Sequence, residues 1–157
     1  MLNFRPMTRK DKRAVVAILK DTPEFTPAEV ILADEVIDSY LFNPEESGYF
    51  IQVAELDGRV AGYVCYGPTP ITEGTWDVYW IAVNHRIQGQ GIGRKLMELA
   101  EARIRENKGR LVIVETSSKP GYEKTNAFYQ RLGYIESCRI KDFYMIGDDK
   151  ISYEKRF

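Results

Sequence analysis

The chain has 157 residues, of which 44% are hydrophobic, 12% aromatic and 29% charged. That composition excludes a disordered tail and suffices for one domain with a real core. The formal charge of -1 gives no global attraction to nucleic acid or to an anionic membrane, and neither is expected as a partner. Cys65 and Cys138 are too few for a disulfide framework, and neither sits in a Cys/His cluster with metal-ligand spacing, so no metal is expected. Both thiols are expected to be buried and reduced.

The N-terminal "MLNFRPMTRKDKR" contains no apolar signal region, and no run of about 18 apolar residues occurs, which points to a cytoplasmic protein. No repeat or long linker interrupts residues 1–157, read as a single domain. "LNFRPM" alternates like a strand. Thr8 and Asp11 form a capping-box pattern before a helix carrying Val15, Val16, Ile18 and Leu19. Thr26, Pro27 and Glu29 announce a second helix, with apolar positions from Val30 to Leu41.

The period then changes to that of strands in "YFIQVAEL", "RVAGYVCYG" and "TWDVYWIAV", the first two joined by an Asp57-Gly58 hairpin turn. After "QGQGIG", residues Ile92, Leu96, Ala100 and Ile104 recur every four positions, so a helix begins at the glycines and stops near Gly109. "RLVIVET" is apolar without alternation and reads as a strand buried on both faces. "YEKTNAFYQRL" is a helix ended by Gly133, and strands "YIESCRIKDFYMI" and "KISYEKRF" close the chain. The order β-α-α-β-β-β-α-β-α-β-β predicts a mixed α/β (α+β) domain.

The glycine loop carries the chemistry. Glycines let backbone N–H groups turn toward a ligand, and a helix N-terminus adds partial positive charge at the same place, which is how an anion such as pyrophosphate is held. The alternative is a tight strand-to-helix turn with no ligand. A dinucleotide fingerprint fails because Arg94 stands sixth from Gly89, and a Walker A loop fails for want of Gly-Lys-Ser or Gly-Lys-Thr. His85 beside the loop reads as a solvated histidine.

Gln88, Gly91 and Gly93 meet the pattern Gln/Arg-x-x-Gly-x-Gly/Ala, "YWIAV" precedes it, and "NAFYQRLGY" follows at residues 126–134. In these motifs the chain resembles the GNAT superfamily of N-acetyltransferases, which move an acetyl group from acetyl-CoA to an amine. The resemblance is most specific from Thr75 to Tyr134. It implies a mixed, mostly antiparallel central sheet of about seven strands with about four helices, splayed at the central strands. It further implies main-chain pairing of Ile81, Ala82 and Val83 with the pantetheine arm. The pyrophosphate would be held by the amides of Gln88, Gly89, Gln90, Gly91, Ile92 and Gly93, together with Arg94. Asn126 would bond the cofactor's amide portion, and Tyr129 would sit near the sulfur and protonate the departing thiolate. Phe128, in contrast, reads as a core aromatic.

Direct attack needs a neutral amine, yet an alkylammonium has a pKa near 10, so a base or a relaying water is required. Glu115 and Asp77 stand where different members of the family carry that carboxylate, Glu115 being the favoured of the two. Between Asp21 and Gly58 the chain carries acids and no lysine or arginine. Such a run is usually a solvated face, but the family's first two helices wall the acceptor cleft, which suggests a cationic amine: a protein N-terminus, a lysine or a polyamine-like molecule. A module that binds acetyl-CoA without transferring anything is the alternative, and a nucleotide-phosphate binder a weaker one. The resemblance also implies pairing of two copies through the last strands.

Overall fold

The strand runs and helix caps sort the chain into seven strands and four helices in the expected order. The computed structural model describes residues 1–157. The strands are β1 (Leu2–Pro6), β2 (Phe50–Leu56), β3 (Arg59–Pro68), β4 (Thr75–Val83), β5 (Leu111–Ser117), β6 (Ile135–Met145) and β7 (Asp148–Arg156). The helices are α1 (Lys12–Lys20), α2 (Pro27–Phe42), α3 (Ile92–Glu106) and α4 (Glu123–Arg131). One mixed sheet runs β1-β2-β3-β4-β5-β7-β6, parallel at β4–β5 and antiparallel elsewhere.

Local chemistry explains the element ends. The Thr26 hydroxyl accepts the Glu29 N–H while Glu29 accepts the Thr26 N–H, and Pro27 occupies the first turn, so α2 starts where the box places it. Asp57 and Gly58 both take positive φ, 49° and 78°, the two-residue turn that matches the twist of the β2–β3 hairpin. Asp11 does more than cap. It accepts hydrogen bonds from the Thr8 N–H and hydroxyl and a forked pair from Arg5 at 2.7 and 2.9 Å, while Arg5 also holds Glu55. The Arg5 guanidinium, opposed by burial and helped by Thr8, holds the Asp11 carboxyl down to about 2. A folded-state value below the unfolded one stabilises the fold above the unfolded value near 3.8 and is lost as pH falls through about 2. Asp11→Asn is therefore expected to cost about 2 kcal/mol at pH 7 and progressively less between pH 4 and 2, as read by urea denaturation across that range.

The sheet separates two cores. On one face α3 and α4 bury Leu96, Met97, Ala100, Ile104 and Tyr129 against Val64, Tyr66, Trp76, Val78, Val112 and Val114. On the other, α1 and α2 bury Val15, Leu19, Val30 and Ile37 against Ile51, Val53, Tyr63, Cys65 and Ala82. Two expectations are corrected here. β5 is buried on both faces only at its end, Thr116 and Ser117; before that Val112 and Val114 are buried, Leu111 and Ile113 partly so, and Glu115 is exposed, because the helices on the second face pack on β2–β4 and not on β5. Cys138 is exposed whereas Cys65 is buried, since Cys138 lies on β6, the edge strand, where every residue is exposed. The last two strands pair with each other, and bulges after Glu136 and Ile140 break the free edge of β6, a usual protection against unwanted strand addition.

Candidate active site

The site begins with a misfit between neighbouring strands. β4 and β5 pair only from Thr75↔Leu111 to Val78↔Val114, yet β4 continues to Val83. On its other side β4 stays paired with β3, but Tyr66 faces Val78 and Cys65 faces Trp80, leaving Tyr79 as an extra residue. A bulge bends its strand and increases local twist, so β4 swings away from β5 beginning at Tyr79. It also resets the pleat: Trp76 and Val78 pack toward α3 before it, Ile81 and Val83 after it, and Ala82 toward α1 and α2. The main-chain groups of Tyr79 to Val83 on the β5 side have no strand partner, and the opening is a cleft of about 1160 Å³.

The glycine loop lies at one end of that cleft. Gly89 and Gly91 have φ of 82° and 78°, and a Cβ at either would meet nothing within 4 Å. These glycines are thus required by conformation, and the space before them is open. Gly91 is the N-cap of α3 and contributes no side-chain cap, and the first turn holds no acid. The first helical hydrogen bond runs from the Lys95 N–H to the Gly91 carbonyl, so the amides of Ile92, Gly93 and Arg94 precede the ladder and remain available to an anion. The Gln88 side chain donates to the Val83 carbonyl at 3.1 Å, tying the loop to the end of β4. Across from it, Lys124, Phe128 and Arg131 share one stripe of α4 that lines the cleft. The Phe128 ring stands 3.5 Å from where a Gly93 Cβ would be, so Phe128 is half core and half cleft wall.

Of the residues singled out in the sequence, Ile81, Ala82, Val83, Gln88, Gly89, Gly91, Ile92, Gly93, Arg94, Glu115 and Tyr129 all line this one cleft. Gln90, Asp77 and Asn126 do not. Gln90 is exposed. Asp77 sits below the splay, opposite Ile113 and Gly67, and accepts the Thr69 hydroxyl at 2.6 Å; burial pushes its carboxyl up, Thr69 opposes this, and Glu115 adds to it. Asn126 is spent inside the fold. Its amide N–H groups donate to the Ser117 and Tyr122 carbonyls at 3.2 and 2.9 Å, and its oxygen accepts the Tyr153 hydroxyl at 2.9 Å, so it binds α4 to β5 and β7.

Tyr129 is 5% exposed, packed edge-on against Phe128 and Tyr134, and its hydroxyl bonds nothing in the chain although it reaches the cleft. Burial, with a small push from Tyr122, holds its phenol well above its ordinary value. Glu115, one residue past the last β4–β5 pair, meets Lys150 at 3.1 Å. The far end of the cleft is aromatic and acidic: Tyr79, Trp80, Phe25, Tyr122 and Tyr144 stand with Glu24, Glu29, Glu115 and Asp148.

The acetyltransferase (GNAT) family model matches residues 14–134, most of the chain. The chain belongs to the GNAT family. A GNAT-family structure from Desulfovibrio desulfuricans is 40% identical over 99% of both chains, with a TM-score of 0.96. A ribosomal-protein-alanine N-acetyltransferase from Brucella melitensis is 27% identical over 99% of both chains, with a TM-score of 0.80. At 12% identity the PaiA N-acetyltransferase of Thermoplasma acidophilum, crystallised with coenzyme A, shares the fold at a TM-score of 0.79, covering 100% of this chain and 99% of that one. No curated protein sequence matches. The GNAT framework makes this chain an acyltransferase.

The sequence reading of this GNAT chain missed residues that reach the cleft from far along the chain. Tyr79 is placed by a bulge that no local motif marks. Tyr144 and Met145 arrive through the second β6 bulge, where Ile140 faces Lys150 but Met145 faces Asp148. Asp142, at φ 54°, holds that bulge by accepting the Gly147 N–H and donating its own N–H to Asp149. "GDD" at residues 147–149, between the last two strands, is the signal the sequence offers.

Proposed function

We propose that this cleft transfers the acetyl group of acetyl-CoA to a primary amine, with both substrates bound together. The observation that carries the reading is the splay of β4 from β5, which joins an unpaired strand edge to the open N-terminus of α3 and to the unbonded hydroxyl of Tyr129. The edge at Ile81 to Val83 accepts an amide-bearing arm as an added strand. The amides from Gly89 to Arg94, with Arg94, Lys124 and Arg131 nearby, hold its phosphates. Bound there, acetyl-CoA supplies the thioester carbonyl that the amine attacks.

The chain's residues then handle the protons. Glu115 is the carboxylate that lines the cleft at the splay, and it takes the amine's proton directly or through a water. Asp77, below the splay and bound to Thr69, tunes that neighbourhood without meeting the amine. Tyr129 offers its O–H to the sulfur as the thiolate departs. Glu115→Gln is expected to lower kcat by about 10², and Asp77→Asn by less than tenfold, with acetyl-CoA affinity kept in both; initial rates of thiol release measure this.

The deciding experiment follows free thiol on mixing the protein, acetyl-CoA and a panel of amines of different charge. Release that depends on the amine supports the transferase. A rise in melting temperature with acetyl-CoA but no thiol release with any amine would make the domain a binding module instead.

A further inference from the structure

Asp148 is a cleft carboxylate to which acetyl transfer gives no work. It opens β7, is only 6% exposed, and lines the cleft. Its Oδ1 accepts the Ser117 hydroxyl, and Oδ2 has no hydrogen-bond partner in the chain. The next residues along β7 each have a cation or anion partner, Asp149 with Arg139 and Lys150 with Glu115, whereas Asp148 forms no ion pair. A carboxylate so removed from water is normally matched by a positive charge, because desolvation is otherwise uncompensated. Its position is fixed: the Ser118 N–H donates to the Asp149 carbonyl at 3.0 Å and the Asp149 N–H to the Ser118 hydroxyl at 2.7 Å. Tyr122 and Tyr144 line the same cleft, and after burial the carboxylates that push both phenols up include Asp148 and Glu29. Aromatic faces beside a carboxylate are a receptor for an alkylammonium, and the chain's own Lys119 ammonium stands 5.3 Å over the Tyr122 ring in the same cleft.

The reacting nitrogen is a poor match for that receptor. It must shed its charge to attack, and a neutral amine gains little from a carboxylate. Glu115 already serves it, and Ser117, which holds Asp148, lies two residues farther along the same face of β5, about 7 Å away. We infer that the acceptor is a small diamine whose second, non-reacting ammonium is bound by Asp148 with Tyr122 and Tyr144. This rests on the acetyl-transfer reading of the cleft and narrows its substrate class.

The test compares 1,4-diaminobutane with butylamine. Each is titrated calorimetrically into the protein alone and into the protein saturated with CoA, and each is used as acceptor in thiol-release kinetics, for the wild type and for Asp148→Asn. The diamine is expected to bind about 10- to 100-fold tighter than the monoamine. That ratio should fall to within about threefold in Asp148→Asn, at unchanged CoA affinity and with the kinetic difference in KM rather than kcat. Equal binding of the two amines by the wild type overturns the diamine assignment, and this arm needs no variant to fold. A preference undiminished in a folded Asp148→Asn overturns the role of Asp148. Either result leaves acetyl-CoA binding and transfer to other amines standing. A protein that binds no CoA would instead remove the cofactor reading, and titration into the free protein would still decide whether the diamine is held.

Discussion

Gly91→Glu is expected to abolish acetyl-CoA binding while leaving the fold intact. In the wild type, acetyl-CoA or CoA at a hundred times its dissociation constant should stabilise the folded state by about 2.7 kcal/mol. For a chain of this size that is a rise of roughly 5 to 10 °C in melting temperature. The variant removes it for two reasons that a control separates. Any side chain at Gly91 must adopt φ near 78°, a left-handed strain of about 1 kcal/mol. Glutamate also places a negative charge in front of the uncapped amides of Ile92, Gly93 and Arg94, where it competes with phosphate and repels it. Gly91→Ala carries the strain alone, because its Cβ meets nothing within 4 Å. Alanine should therefore lower the melting temperature yet keep most of the acetyl-CoA shift, and glutamate should lose the shift. A full shift in Gly91→Glu would mean that the phosphates lie elsewhere.

The part of the site legible in the sequence is the part built by local geometry. Three glycines before a helix state their own conformational requirement, and Thr26, Pro27 and Glu29 state theirs, because the partners lie within one turn. The splay was legible only through the resemblance. It depends on which residue of β4 is skipped by β3, a register fact that Tyr79 carries with no local mark. Asn126 is the opposite case. Its motif position is expected to bond the cofactor's amide portion, while in the fold its amide also engages Ser117, Tyr122 and Tyr153, partners spread over elements whose proximity no spacing reveals.

Charge was the least legible property, because a run of acids in sequence is not a charged wall in space. Asp34 and Asp38 are held by Lys12, Glu55 by Arg5 and Asp57 by the chain's amino terminus. Of that run only Glu24 and Glu29 line the cleft, and Glu29 is engaged in capping α2. The acidic character of the acceptor end comes as much from Glu115 and Asp148, which sheet order brings together from distant β5 and β7. A cationic acceptor is thus proposed on residues other than those of the acidic run.

Tyr129→Phe should separate chemistry from binding. The hydroxyl bonds nothing in the chain, so its removal forfeits no native hydrogen bond, and stability at pH 7 should change by less than about 0.5 kcal/mol. The ring, packed against Phe128 and Tyr134, is retained. The loss should fall on kcat, by about 10², which is about 2.7 kcal/mol of barrier, with acetyl-CoA affinity unchanged. The pH dependence gives a second reading. Burial raises the folded-state pKa of this phenol above its ordinary 10; a raised value means that stability is present below the unfolded pKa and is lost as pH rises through the folded one. The wild type should consequently lose stability relative to Tyr129→Phe above pH 10, and between pH 7 and 10 the phenol should remain a proton donor, so that the rate climbs with deprotonation of the amine and shows no descending limb from Tyr129. An unchanged kcat in the phenylalanine variant would assign protonation of the thiolate to solvent and leave Tyr129 as a wall of the cleft.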